Sequence, residues 1–238
     1  MRIALFVLAA VIATYPITAH AQLIDYVGLD FGNTGQRVEP GYLEISGSGS
    51  GHDTQGPYNL VSQTGDMFTL NLSDTGSGTL VWRDRGDTPG APPALTQVGE
   101  DHIKNNSGLI ELTFSGLEAG TYVATSYHMD ADFTQSDEIH AIITDALGGP
   151  TNVGTVGDDG AYGGGEAGLT TALVQATSVM DFTFVSNGVD DVVILFDGSP
   201  SGDNETPLSG LFLQQLQVPE PASIAIWSLI GLGLVGFG

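Results

Sequence analysis

The sequence contains no cysteine. No disulfide can staple the fold, which must rest on packing and on any metal it binds. Positive charge is nearly as scarce. Five Lys+Arg stand against 28 Asp+Glu, a formal net charge of −23. A polyanion of that size repels nucleic acid and anionic headgroups, so no nucleic-acid partner is expected. Several catalytic signatures are missing too. There is no GxSxG elbow, and His52, His102, His128 and His140 show no HExxH spacing. The glycine run at residues 163–168 has no following Lys, which argues against a phosphate loop. With acids so abundant, a carboxylate pair proves nothing about glycoside hydrolysis. The expected role is non-enzymatic.

What is present begins at the ends. Residues 1–21 read as a secretion signal: Arg2 as the positive start, an apolar stretch over residues 3–12, then Ala19-His20-Ala21. Cleavage is expected between Ala21 and Gln22. Residues 222–238 carry no charge and are rich in Leu, Ile, Ala and Gly. As a helix they would extend roughly 25 Å at 1.5 Å per residue, slightly short of a bilayer core. Pro219 and Pro221 cannot sit inside that helix and mark its start.

Between the ends, residues 22–217 alternate short apolar-polar runs with Gly, Asn, Asp and Pro. Phe68, Leu70 and Leu72 alternate with Thr69, Asn71 and Ser73; Ile110, Leu112 and Phe114 alternate with Glu111, Thr113 and Ser115. Both read as half-buried strands. Further strands are expected at residues 24–31, 41–46, 80–84, 122–128, 138–145, 173–177, 182–185, 192–196 and 211–218. Residues 93–103 read as a short helix. Residues 115–122 read as a hairpin connection, with Gly116 and Gly120 permitting positive φ. The expected fold is all-β: an antiparallel β-sandwich or jelly roll with an N-terminal signal helix and a C-terminal apolar helix.

Pro219-Glu220-Pro221 and the apolar segment after it resemble the PEP-CTERM sorting signal of bacteria, also described as an ice-binding-protein C-terminal domain. That resemblance implies export and transient insertion of the tail in the inner membrane. It also implies processing near the motif by an exosortase-type enzyme, hence a place in the envelope or outside the cell. In that family a short basic cluster follows the helix. The sequence here stops at Phe237-Gly238 without one, so truncation and a degenerate signal are the two readings. The order of a strand, Gly116 to Tyr122, a second strand and then His128-Met129-Asp130 resembles that of exported β-sandwich proteins, and the segments 29–35 and 40–42 resemble the opening strands of galactose-binding-like and malectin-like jelly rolls. That resemblance implies carbohydrate bound at loops or on the concave face, and a structural calcium ion.

Candidate chemistry is sparse. Asp130, Asp132, Asp137 and Glu138 cluster on one stretch, and Asp197 and Asp203 flank a second that also holds Gly198, Asn204 and Glu205. Clustered carboxylates are the donors a hard cation such as Ca2+ uses. The same residues also read as solvated acidic turns. His128, where a strand meets the first acidic stretch, is the histidine best placed for function. Tyr58 and Tyr162 lie in Gly/Pro-rich segments and are candidates for stacking on sugar faces. The reading is an exported envelope or matrix protein that binds extracellular polysaccharide. The alternatives are a structural or adhesive component without a small ligand, or a polysaccharide hydrolase.

Overall fold

Period-two alternation builds the strands. In β5 (Met67–Ser73) Phe68, Leu70 and Leu72 are buried while the residues between them are not. The pattern repeats in β8 (Leu109–Ser115) and β13 (Val192–Asp197). Successive side chains point to opposite faces, so each strand gives its sheet one dry face and one wet face. A computed structural model describes residues 22–35, 38–47, 50–52, 54–75, 78–84, 98, 101–105, 108–128, 138–156, 179–199 and 205–217. The chain divides into two compact units. One is Ile24–Gln215; the other joins Met1–Leu23 to Leu216–Gly238, of which Gln22, Leu23, Leu216 and Gln217 are described.

Three sheets make up the first unit. With strands numbered in chain order, the major sheet has six: β11 (Gly148–Val156), β10 (Ile139–Asp145), β13, β8, β5 and β4 (Thr54–Val61). Every neighbouring pair in it is antiparallel. The facing sheet has five: β12 (Val179–Ser186), β9 (Gly120–Tyr127), β15 (Gly210–Gln217), β1 (Gln22–Asn33) and β2 (Tyr42–Gly47). A minor sheet has four: β14 (Thr206–Leu208), β7 (Asp101–Asn105), β6 (Leu80–Asp84) and β3 (Ser50–His52). Pairing is antiparallel as expected in the major and minor sheets and between β12 and β9, whereas β1 and β2 run parallel, Gly28 opposite Tyr42 and Asn33 opposite Gly47. The connection between them folds back over β1, and the buried Asp30 carboxylate accepts the Glu39 N–H at 2.7 Å.

The core is an aromatic chain running from the major sheet into the facing sheet. Phe114 meets Phe68 at 6.3 Å between ring centroids, Phe68 meets Tyr26 at 5.7 Å, and Tyr26 meets Tyr122 edge-on at 5.1 Å. Tyr122 then stacks on Phe184 at 5.1 Å. Each such ring contributes roughly 1.5–3 kcal/mol by leaving water.

Two expectations need correction. Residues 115–122 are not a hairpin connection, since β8 belongs to the major sheet and β9 to the facing sheet. Leu117 plunges into the interior, and the Tyr122 hydroxyl donates to the Glu118 carbonyl at 3.0 Å, fixing an arch between sheets. Gly116 takes the positive φ expected of it, +79°, whereas Gly120 does not. The helix expected at 93–103 also fails at its end. Val98 is helical, but Asp101–Asn105 is strand β7, with Ile103 buried opposite Trp82 on one side and Leu208 on the other. Strands β3, β4, β7, β11 and β14 were not expected. Both β4 and β11 carry a Gly-Pro step that reads as a turn; each lies at an edge of the major sheet, where proline costs no ladder bond. The strand expected at 173–177 and both terminal helices lie outside the described residues. Among the described residues no helix is long and apolar enough to cross a membrane.

Candidate functional site

The wet face of the major sheet carries an ordered polar surface at its β4–β5–β8 corner. Asn59 on β4 stands opposite Thr69 on β5, and Thr69 stands opposite Ser115 on β8. One step along, Asn71 stands opposite Thr113. Residues paired in register project to the same face, so these amides and hydroxyls form two adjoining rows. No hydrogen bond among the described residues engages the side chains of Asn59, Thr69, Asn71, Thr113 or Ser115. Beside the first row, Val61 and Met67 form an exposed cross-strand pair, 53% and 81% accessible. A shallow hollow of about 420 Å³ opens here, lined among others by Asn59, Val61, Met67, Thr69, Ser115 and Gly116, with no acid in its lining.

The turn that joins β4 to β5 holds this corner in shape. The Ser62 N–H donates to the Asp66 carbonyl at 2.9 Å, and the Asp66 N–H donates to Ser62 Oγ at 2.9 Å. Asp66 Oδ2 accepts the hydroxyls of Ser62 and Thr64. Gly65 sits at φ +95°, a conformation glycine adopts without penalty. The Gln63 N–H donates to the Tyr26 carbonyl at 2.8 Å and ties the turn to β1.

The acidic candidates fall elsewhere. His140 pairs with Asp197 on one side and Thr155 on the other, and Ile139 pairs with Val156. The start of β10 and the ends of β11 and β13 therefore share one end of the major sheet. Both acidic stretches join the sheet there, a proximity the linear sequence conceals. Asp130, Asp132, Asp137 and Asp203 themselves lie outside the described residues. Glu138 Oε1 stands 3.3 Å from His140 Nε2. The Asn152 amide donates to His140 Nδ1 at 2.7 Å, which places the ring proton on Nε2, towards Glu138. Asp197 Oδ1 accepts the Ser199 N–H at 2.9 Å, an ordinary Asx turn. Among the described residues no three His, Asp or Glu side chains assemble into a metal site.

The aromatic and histidine candidates are placed as follows. Tyr58 pairs with the buried Leu70, packs partly against the core, and donates its hydroxyl to the Ser46 carbonyl at 3.2 Å. Burial pushes its hydroxyl pKa up. Tyr162 lies outside the described residues. His128 is buried, edge-on to Phe196 at 4.8 Å, with both ring nitrogens in hydrogen bonds. That is a structural position, away from the wet face.

Sequence reasoning missed strand β7. All five of its residues are buried although four of them, Asp101, His102, Lys104 and Asn105, are polar or charged. Lys104 Nζ donates to both oxygens of Glu205 at 2.8 Å, across the β7–β14 pairing. Gly32 lets β1 approach, since a Cβ there would stand 2.9 Å from that of Asp101. The legible signal was the alternation of Ile103 with polar neighbours. It was outweighed by the reading of residues 93–103 as a short helix, and the burial of the charged groups shows only when each group's partner is seen.

Residues 217–238, which include Pro219, Glu220 and Pro221, match the family model of the PEP-CTERM protein-sorting motif. The chain thus carries the sorting signal of an exported protein, held by its C-terminus before processing. No curated protein matches the chain. Among solved structures it is similar to the plant receptor-like kinase ANX2 at 14% identity and TM-score 0.46, covering 84% of this chain and 52% of that one. The ANXUR1 extracellular domain from Arabidopsis thaliana gives 13% identity and TM-score 0.46, with 84% and 52% covered. A family 35 carbohydrate binding module from Clostridium thermocellum gives 10% identity and TM-score 0.34, with 56% and 86% covered. The chain spans about half the length of the two receptor structures. At these scores the likeness assigns neither a ligand nor a site.

Proposed function

We propose that this is a non-catalytic component of the cell envelope or extracellular matrix that binds glycan through the wet face of its major sheet. Residues 1–21 act as a cleaved signal, with the mature chain starting at Gln22. The tail at 218–238 inserts in the inner membrane until an exosortase-type enzyme cuts near Pro219-Glu220-Pro221.

The observation that carries the binding reading is the uncommitted row of Asn59, Thr69 and Ser115 beside the exposed Val61–Met67 pair. Sugars present hydroxyls at their edges and C–H groups on their faces, and this corner offers the complement of both. A hydrolase would need two carboxylates flanking the bond, roughly 5–9.5 Å apart, and the hollow's lining holds none. Ca2+ bound where the two acidic stretches meet the sheet would be structural in this scheme.

The test is retention of the full-length protein by a panel of extracellular polysaccharides, with and without EDTA. Wild type should be retained, and Asn59→Ala with Ser115→Ala should be retained several-fold more weakly. Absence of retention by every polymer would favour a purely structural or adhesive role. Release of shorter sugars would favour a hydrolase.

A further inference from the structure

We infer, resting on the glycan-binding reading above, that the ligand is an uncharged polysaccharide held along internal stretches of its chain, and that polyuronates and sulfated glycans are refused. Charge argues first. The chain carries a formal −23, yet the hollow's lining is free of charge. Of the carboxylates around it, Asp66 and Glu111 are engaged by neighbouring hydroxyls, and Glu118, two residues beyond Gly116, is exposed and adds negative charge at its margin. Asp66 accepts two hydroxyls within its own turn, and Glu111 Oε1 accepts the Ser73 hydroxyl at 3.2 Å. Binding an acidic polymer would need cations at the site. The chain has five Lys+Arg, and the two among the described residues, Arg83 and Lys104, belong to β6 and β7 of the minor sheet. A polyanion approaching the major sheet meets repulsion, and among the described residues no cation lies at this corner to offset it.

The arrangement of the neutral groups supplies the second argument. Asn59, Thr69 and Ser115 repeat strand by strand across β4, β5 and β8, with Asn71 and Thr113 as a parallel second row. Adjacent strands are about 4.8 Å apart, so a ligand that uses the row must be long enough to cross three strands. Amides and hydroxyls both donate and accept, as sugar hydroxyls do. Val61 and Met67 provide an apolar strip along the same corner. The lining residues Asn59, Val61, Met67, Thr69, Ser115 and Gly116 lie across the face of the sheet itself, a surface suited to a stretch of polymer rather than to a single sugar.

The experiment is affinity electrophoresis of the full-length protein in mild detergent. One set of gels contains neutral polymers (β-glucan, xylan, galactan, mannan), and another contains alginate or polygalacturonate, each at low and high salt. The expected result is retardation by at least one neutral polymer, unaffected by salt, and none by the polyuronates. Free monosaccharide should compete far more weakly than oligosaccharide. The triple variant Asn59→Ala, Thr69→Ala, Ser115→Ala should lose about tenfold in affinity at an unchanged melting temperature. Should that variant unfold, Thr69→Asp alone must abolish retardation. Salt-sensitive retardation by a polyuronate would overturn this inference while leaving the glycan reading intact. Retardation by no polymer would overturn both. Wild-type binding by a folded variant would overturn the placement on this face.

Discussion

The Nδ1 of His128 stands 2.8 Å from the carbonyl oxygen of Pro207, and its Nε2 stands 2.9 Å from the hydroxyl of Ser126. A carbonyl can only accept, so Nδ1 carries the proton and Nε2 accepts from Ser126. The ring is buried, and its hydrogen-bond and ring partners among the described residues, Phe196, Ser126 and Pro207, are uncharged. Desolvation lowers its pKa to about 4, partly offset by the Pro207 hydrogen bond. The unfolded chain titrates near the ordinary value of about 6.5. Above pH 6.5 both states are neutral and the contribution to stability is complete. As pH falls from 6.5 towards 4 the unfolded chain takes the proton first, and roughly 3 kcal/mol is lost. Below 4 the loss from this group stops. Urea unfolding at pH 7 and pH 4.5 should show a larger drop for wild type than for His128→Gln. Equal drops would mean that His128 titrates normally.

Gly28 is required by its neighbour. A Cβ there would stand 2.7 Å from the ring of Tyr42, which stacks on Phe212 at 5.8 Å. Gly28→Ala should cost about 1–3 kcal/mol as the ring is displaced. Thermal melts will read this, and adding Tyr42→Ala to Gly28→Ala should recover the clash component.

Lys104 is almost fully buried and Glu205 partly so, joined by two 2.8 Å contacts. Glu205→Ala leaves an ammonium buried without this partner. The expected loss is about 2 kcal/mol, between the values for exposed and fully buried pairs. Denaturant titration at neutral pH measures it, and Lys104→Met with Glu205→Leu should lose less than Glu205→Ala alone.

How much of this was legible beforehand depends on which force set each element. Strands such as β5, β8 and β13 were legible because one face is dry and the other wet, and hydrophobic period two reports that directly. The edge strands β4 and β11 were hidden because edge positions tolerate the glycine and proline that elsewhere signal turns. Strand β7 was hidden because its charges are neutralised by contacts distant in sequence, as between Lys104 and Glu205. The sorting tail was legible because Pro219-Glu220-Pro221 before an apolar stretch is a local signature, and the family match at 217–238 includes it. The candidate binding corner was not. Asn59, Thr69 and Ser115 are unremarkable polar residues until strand register sets them side by side.

The Tyr122 hydroxyl bond to the Glu118 carbonyl, 3.0 Å, locks the arch between the two main sheets. Tyr122→Phe keeps the ring stacked on Phe184 and removes that bond together with the longer 3.4 Å bond that the Gln215 amide donates to the same hydroxyl. About 1 kcal/mol should be lost. Hydrogen exchange at Leu117 and Glu118 should quicken while the rest of β9 keeps its protection.

The central claim is that the wet face of β4, β5 and β8 is the binding surface. Hydrogen–deuterium exchange of the full-length protein, with and without a neutral polysaccharide that retards it, tests this most directly. Added protection should concentrate in the segments spanning Asn59–Val61, Met67–Asn71 and Thr113–Gly116. Protection confined to peptides at the end of the major sheet where Glu138 and Asp197 lie, with these segments unchanged, would contradict it.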